Sequence, residues 1–228
     1  MLRTRHAFEE ELADLRLELV KMGSFVESML DRSIRALVHH DVNLAKEVIR
    51  SDDVADGMDL SIEQHCMRLL ALQQPMSRDL RTIGTVMKVI ADVERVGDYC
   101  VDIARAAITL ADTAFFKELV DIPQMATAVA DMLRMALQAM VNEDLKLVDT
   151  VAAKDDEVDD LWMKLKGELI QIMEQRPDTI PQAVQLLLVA RYLERIADHV
   201  VNVAERVAYM VTGEFTQLIE RHKETVVE

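Results

Sequence analysis

Val93-Glu94-Arg95-Val96-Gly97-Asp98 returns one hundred residues later as Leu193-Glu194-Arg195-Ile196-Ala197-Asp198. Asp52-Asp53-Val54-Ala55-Asp56 returns, at an offset of 103 (52 to 155), as Asp155-Asp156-Glu157-Val158-Asp159. These segments belong to a longer repeat in which residues 29–105 recur at 132–205. A fold alone requires only that the apolar period recur. Acids four apart that recur at matched places ask for a chemical explanation.

Outward from these motifs, apolar residues follow one another at about 3.6-residue spacing, the period of an amphipathic helix. Leu12, Leu15, Leu19, Met22, Val26, Met29 and Ser33 trace one face of a first helix over about 6–39. His39-His40-Asp41 breaks the pattern, with Asp41 placed to cap the next helix. Second and third helices follow at about 42–73 and 76–112. The second copy repeats the plan at about 122–142, then a break at Asn142-Glu143-Asp144, then 145–175 and 179–211. Pro75, Pro123, Pro177 and Pro181 all sit near these ends, where a first turn or the residues past a helix tolerate proline. Long helices joined by short turns form bundles. The predicted fold is therefore all-α: two tandem three-helix bundles over 1–113 and 114–213, with a tail at 214–228 outside the repeat, frayed or separately docked.

Composition limits the function. The chain has 228 residues, half of them hydrophobic, few aromatics and fourteen methionines, so a helical core of aliphatic and thioether side chains is expected. A net charge of −15 repels phosphate backbones and argues against nucleic-acid binding. Cys66 and Cys100 have no disulfide or metal spacing, and Met1–Arg5 leads into no apolar signal-peptide core, so a cytoplasmic location is expected. The greasiest stretch, Ala183–Ala190, contains Gln185 and falls far short of the ~20 residues that span a bilayer. No membrane insertion is expected, and peripheral association stays open.

On a helix, residues four apart lie one turn along and about 40° around. Glu94, Asp98 and Asp102 therefore form one stripe on the third helix, and Glu194, Asp198 and Asn202 the matched stripe on the sixth. Asp52 and Asp56 on the second helix, and Asp155 and Asp159 on the fifth, supply facing stripes. Both third-helix stripes border apolar positions, which limits their access to water. Two carboxylates ~4 Å apart repel by about 4 kcal/mol at an effective dielectric near 20. Such a cluster must protonate, pair with a cation or bind a metal. An all-oxygen donor set suits magnesium, manganese, calcium or iron better than zinc. Acids at this spacing also occur on ordinary solvated faces, but matched recurrence in both halves favours a site. Arg95 and Arg195 adjoin the glutamates and point about 100° away, so Arg81 and Arg191 are the expected neutralising partners. His199 reads either as a ligand or as a hydrogen-bonded packing residue, the commoner role at a helix seam. His39, His40 and His65 read as break or surface residues.

Pro75-Met76-Ser77-Arg78-Asp79-Leu80-Arg81, with Val93–Asp98 and Tyr192-Leu193-Glu194-Arg195-Ile196-Ala197-Asp198-His199-Val200-Val201-Asn202-Val203-Ala204-Glu205, resembles the phosphate-uptake regulator family, PhoU, over about residues 4–213. The second motif fits well. The first departs from the family pattern, with Tyr99 and Asp102 where the family commonly has His and Asn. The resemblance implies two three-helix bundles, multinuclear metal sites on the acidic stripes and a cytoplasmic homodimer. It further implies a non-catalytic negative regulator, an adaptor between the phosphate ABC transporter, through its ATPase subunit, and a membrane sensor histidine kinase. Two alternatives stand beside it. A ferritin-like carboxylate-bridged iron protein uses Glu-x-x-His, which this sequence lacks. A regulator of the same family could also serve another pathway.

Overall fold

The computed structural model of the chain describes residues 2–215. Helices α1 (Leu2–His39), α2 (Val42–Gln73) and α3 (Ser77–Leu110) form one three-helix bundle. Helices α4 (Asp121–Asn142), α5 (Leu145–Gln175) and α6 (Ile180–Thr212) form a second, with a 3-10 turn at Pro177–Thr179 leading into α6. The two-bundle expectation holds, and the helix ends fall within a few residues of those read from the apolar period. Most of the tail segment predicted at 214–228 lies outside the described residues.

The first turn of each half is built the same way. His40 and Glu143 both adopt left-handed backbone, φ 52° and 55°. The following amide reaches back to close the helix end: Asp41 N–H donates to Ala36 O at 2.9 Å, and Asp144 N–H to Ala139 O at 3.1 Å. Each aspartate then caps the next helix, Asp41 accepting from the amides of Asn43 and Leu44, Asp144 from that of Lys146. A non-glycine residue in this conformation is strained, and both positions gain tertiary contacts. The His40 ring stacks on Phe115 with centroids 4.4 Å apart, and its Nδ1 lies 3.2 Å from Leu110 O. Glu143 accepts from Arg16 of α1 at 3.1 Å and from Arg78 of α3. A glutamate of the second half is thus clasped by arginines of the first.

The halves share one continuous core. α3 lies against α6 and α1 against α4, so these four helices form the junction, while α2 and α5 flank it on the outside. The whole predicted α1 face, Leu12 through Ser33, is buried. At Gly23 the α1 backbone approaches α4 so closely that an added Cβ would clash with Leu137 Cδ1. Residues 111–120 cross between the halves and are fastened to the second. Phe116 N–H donates to Gln182 Oε1 at 2.9 Å, and Lys117 bridges Asp121 (3.2 Å) and Glu168 (2.7 Å). Burial raises the pKa of Asp121, but hydrogen bonds from Lys164 and Lys117 outweigh it and hold the carboxyl below its usual range.

Two expectations need correcting. His65 is not a surface residue: it is buried in α2, with Nδ1 2.8 Å from Glu18 Oε2 of α1. Nor are all methionines core, since Met67, Met76 and Met163 are exposed. No helix among the described residues is long and apolar enough to cross a membrane.

Candidate functional site

The acidic stripes meet in pairs. In the second half, Asp155 on α5 feels the charges of Asp159 on its own helix and of Asp198 and Glu194 on α6, and burial together with these neighbours pushes its carboxyl up to about 7. In the first half, burial comes first in raising Asp52, followed by Asp56 and then by Asp98 across the α2–α3 groove. Glu94 is raised by burial, then by Asp98, with Asp56 and Asp59 acting from α2. The predicted sets Asp52, Asp56, Glu94, Asp98 and Asp155, Asp159, Glu194, Asp198 therefore lie within electrostatic reach of one another as two matched groups of carboxylates. Asp59 belongs with the first and was not among the residues singled out in the sequence.

Each cluster borders apolar packing. Gly97, next to Asp98 on α3, faces α1 and α2, where an added Cβ would make ordinary contact at 3.9 Å with Ala55 and Val26. Glu194 is 9% exposed; its Oε1 accepts from Arg191, and its buried Oε2 has no hydrogen-bond partner. A buried carboxylate oxygen with nothing to accept from is costly in a folded chain. Burial and then Asp198 raise the Glu194 pKa, against the opposing charge of Arg191.

Cations temper the clusters along the helices. Arg95 donates to Asp98 at 2.6 Å, Arg195 to Asp198 at 3.0 Å and Arg105 to Asp102 at 2.9 Å, all at i,i+3 spacing. The expectation that Arg95 points away from Glu94 fails: the long side chains bend back, Arg95 Nε standing 3.7 Å from Glu94 Oε2 as well as bonding Asp98 three residues on. Arg191 neutralises Glu194 as expected. Arg81 does not take that role, since its guanidinium lies against Gly213 at the end of α6. No three His, Cys, Asp or Glu side chains among the described residues stand where they could hold a metal ion. Exposed pairs of this kind are worth about 0–1 kcal/mol each, so an ion entering the cluster could draw the carboxylates off them. The all-oxygen donors, their mutual repulsion and the orphaned Glu194 Oε2 fit a hard cation.

Asp102 and Asn202 lie apart, on the seam between α3 and α6. Each step of four residues turns the stripe by about 40°, so the third member has rotated away from the first. Asn202 Nδ2 donates to Asp92 Oδ1 at 3.3 Å, and His199 Nδ1 stands 2.9 Å from the same oxygen. His199 is thus held as a packing residue. At the matched place in the other copy, Tyr99 stacks on Tyr192, centroids 5.9 Å apart, and the charge of Asp102 bears on Tyr192. Asp92 escaped the sequence reading because nothing local marks a residue whose partners are more than one hundred positions away. Cys66 and Cys100 are free and buried, and burial pushes the Cys66 thiol up to about 12.

The PhoU domain matches residues 19–107 and again 122–207. A phosphate-specific transport system accessory protein PhoU homolog of Clostridium acetobutylicum is 38% identical, over 94% of this chain and 99% of its own length. The protein of the same description from Deinococcus radiodurans is 35% identical, over 92% and 98%. The crystal structure of PhoU from Pseudomonas aeruginosa superposes with a TM-score of 0.87 at 35% identity, covering 91% of this chain and all of that one. The phosphate transport system regulatory protein PhoU from Streptococcus pneumoniae superposes with a TM-score of 0.86 at 31% identity, covering 92% and 99%. With both halves matched by the same domain and the architecture shared along nearly its whole length, this chain belongs to the PhoU family.

Proposed function

We propose that the chain is an accessory regulator of phosphate-specific transport, a cytoplasmic, dimeric adaptor that links the transporter's ATPase subunit to a sensor histidine kinase and silences phosphate-starvation signalling when phosphate is plentiful. The observation that supports this most directly is the near full-length likeness to relatives named as accessory proteins of that transport system. The role is one of binding, without turnover.

In this reading each carboxylate cluster holds divalent or trivalent metal, iron, manganese or magnesium, with Asp52, Asp56, Glu94 and Asp98 as ligands in one half and Asp155, Asp159, Glu194 and Asp198 in the other. When bound, metal supplies the positive charge that lets these groups stay ionised at close range. The ligands come from two helices in each half, so they tie α2 to α3 and α5 to α6. The orphaned oxygen of Glu194 supports this assignment. Phosphate is a poor direct ligand for so acidic a surface unless it caps a bound metal, so the signal reaches the protein through its partners.

The test is a strain lacking this chain. At high phosphate its starvation-response genes should be expressed constitutively. The wild-type chain should restore repression, and an Asp98→Ala/Asp198→Ala variant should not. Normal repression in the deletion strain would contradict the proposal.

A further inference from the structure

The two outer helices carry the same exposed stripe with its charge reversed. On α2, Leu60, Glu63 and Met67 share one face at spacings of three and four. On α5, at the same offset of 103, Met163, Lys166 and Ile170 do so. Leu60 and Met67 are 53% and 54% exposed, Met163 and Ile170 60% and 39%. A single exposed apolar side chain is ordinary. Two pairs, each seven residues apart and at matched places on both outer helices, form the kind of seam along which helices of separate chains pack, with the residue between as its charged flank. Glu63 is exposed; Lys166 is half-buried, its Nζ 5.8 Å from the centre of the Trp162 ring. Neither is ion-paired among the described residues.

Both stripes belong to one face of the molecule. The charge of Glu63 bears on Asp59, and that of Asp59 on Glu94 of α3, so the first stripe borders the outer α2–α3 groove. Trp162, beside Lys166, lies 6.0 Å from the Arg191 guanidinium of α6, so the second borders the outer α5–α6 groove. In a three-helix bundle the outer groove between two helices points away from the third, here α1 and α4. Because α1 lies against α4 and α3 against α6, the two grooves open on the same side.

A second copy laid on this side about a two-fold axis has two arrangements. With α2 on α2, Glu63 meets the partner subunit's Glu63 and Lys166 meets the partner subunit's Lys166. With α2 on α5, Glu63 meets the partner subunit's Lys166, and the symmetry makes that opposite-charge pair twice. Charge selects the second arrangement. We propose that this face is a dimer interface, the α2 stripe of each copy packing on the α5 stripe of the other. The inference rests on the dimeric reading above and locates its contact. Each copy carries a net charge of −15, and the carboxylate groups lie inward of the stripes, so overall repulsion opposes the pairing. The apolar seams and the two Glu63–Lys166 pairs hold it against that repulsion.

Sedimentation velocity of the full chain over a dilution series tests the interface, with circular dichroism reporting the fold of each variant. Wild type should dimerise. Glu63→Lys and Lys166→Glu should each weaken the dimer about tenfold or more, since either sets like charges together at both contacts. Leu60→Gln, at an exposed position, should weaken it as well. Glu63→Lys/Lys166→Glu should restore the wild-type affinity, as should an equimolar mixture of the two single variants, in which every pair is again of opposite charge. A dimer that neither charge reversal weakens would overturn the interface and leave the dimeric reading standing. A wild type that stays monomeric at the highest concentration would overturn both and leave the stripes to a different protein.

Discussion

His199 Nδ1 and Asp92 Oδ1 lie 2.9 Å apart, joining the last helix of the second half to the third helix of the first. A carboxylate only accepts, so the proton of the bond sits on Nδ1 of the ring. Asn202 donates to the same oxygen, and one acid thereby satisfies two side chains of α6. Asp92→Ala strands both donors on a partly buried seam and should cost about 1–3 kcal/mol, read as a lower urea midpoint at unchanged m. Asp92→Asn keeps an acceptor and should cost less. Equal stability of Asp92→Ala and wild type would remove the pair from the account of how the halves dock.

The Asp155 carboxyl, pushed up to about 7, sets the pH dependence of the metal-free protein. A carboxyl whose folded pKa exceeds its unfolded value of about 3.9 binds more protons when folded, so its contribution is complete below about pH 4 and is lost as pH rises through 7. Asp52, Asp59, Glu94 and Glu194 are shifted the same way. Asp121, shifted downward, acts only at the acidic edge of this window. In chelator, the melting temperature should fall between pH 5 and 8, and Asp155→Asn should flatten the slope. A melting temperature that climbs over this range contradicts the burial of these acids.

Two glycines should respond oppositely to alanine. At Gly57 on α2 an added Cβ meets nothing within 4 Å, so Gly57→Ala should stabilise by about 0.5–1 kcal/mol through helix propensity. At Gly23 the methyl would displace Leu137, and Gly23→Ala should destabilise by about 1–2 kcal/mol despite the same propensity gain. Adding Leu137→Ala should weaken that clash, detected as non-additivity in a double-mutant cycle.

Glu143 combines a left-handed backbone with two arginine partners from the other half. Glu143→Ala loses the pairs and keeps the strain; Glu143→Gly loses the pairs and relieves it. The glycine variant should be the more stable of the two by about 1 kcal/mol in thermal unfolding. The reverse order would mean that the turn is not under strain.

What the sequence disclosed followed the range of the interaction. The α1 face from Leu12 to Ser33 and the caps Asp41 and Asp144 depend on residues within a turn or two, and these were legible. So was the facing of Asp52 with Asp98 and of Asp155 with Glu194 and Asp198, because the repeat wrote the same acids twice. The adjacent-residue angle leaves out Arg95 and Arg195, yet i,i+3 geometry brings them to Asp98 and Asp198, and Arg95 also reaches back to Glu94. His65 with Glu18, and Asp92 with His199, pair residues 47 and 107 positions apart, and no local pattern announces such partners.

The central claim is that both carboxylate clusters are cation sites, and thermal unfolding with Mn²⁺ tests it most directly. At a hundredfold excess over its dissociation constant, an ion bound only by the folded chain adds about 2.7 kcal/mol, a rise of roughly 5–10 °C for a protein of this size. Wild type should show that rise and Asp98→Ala/Asp198→Ala should show none. An equal rise in both proteins, or no rise in wild type, would contradict the claim.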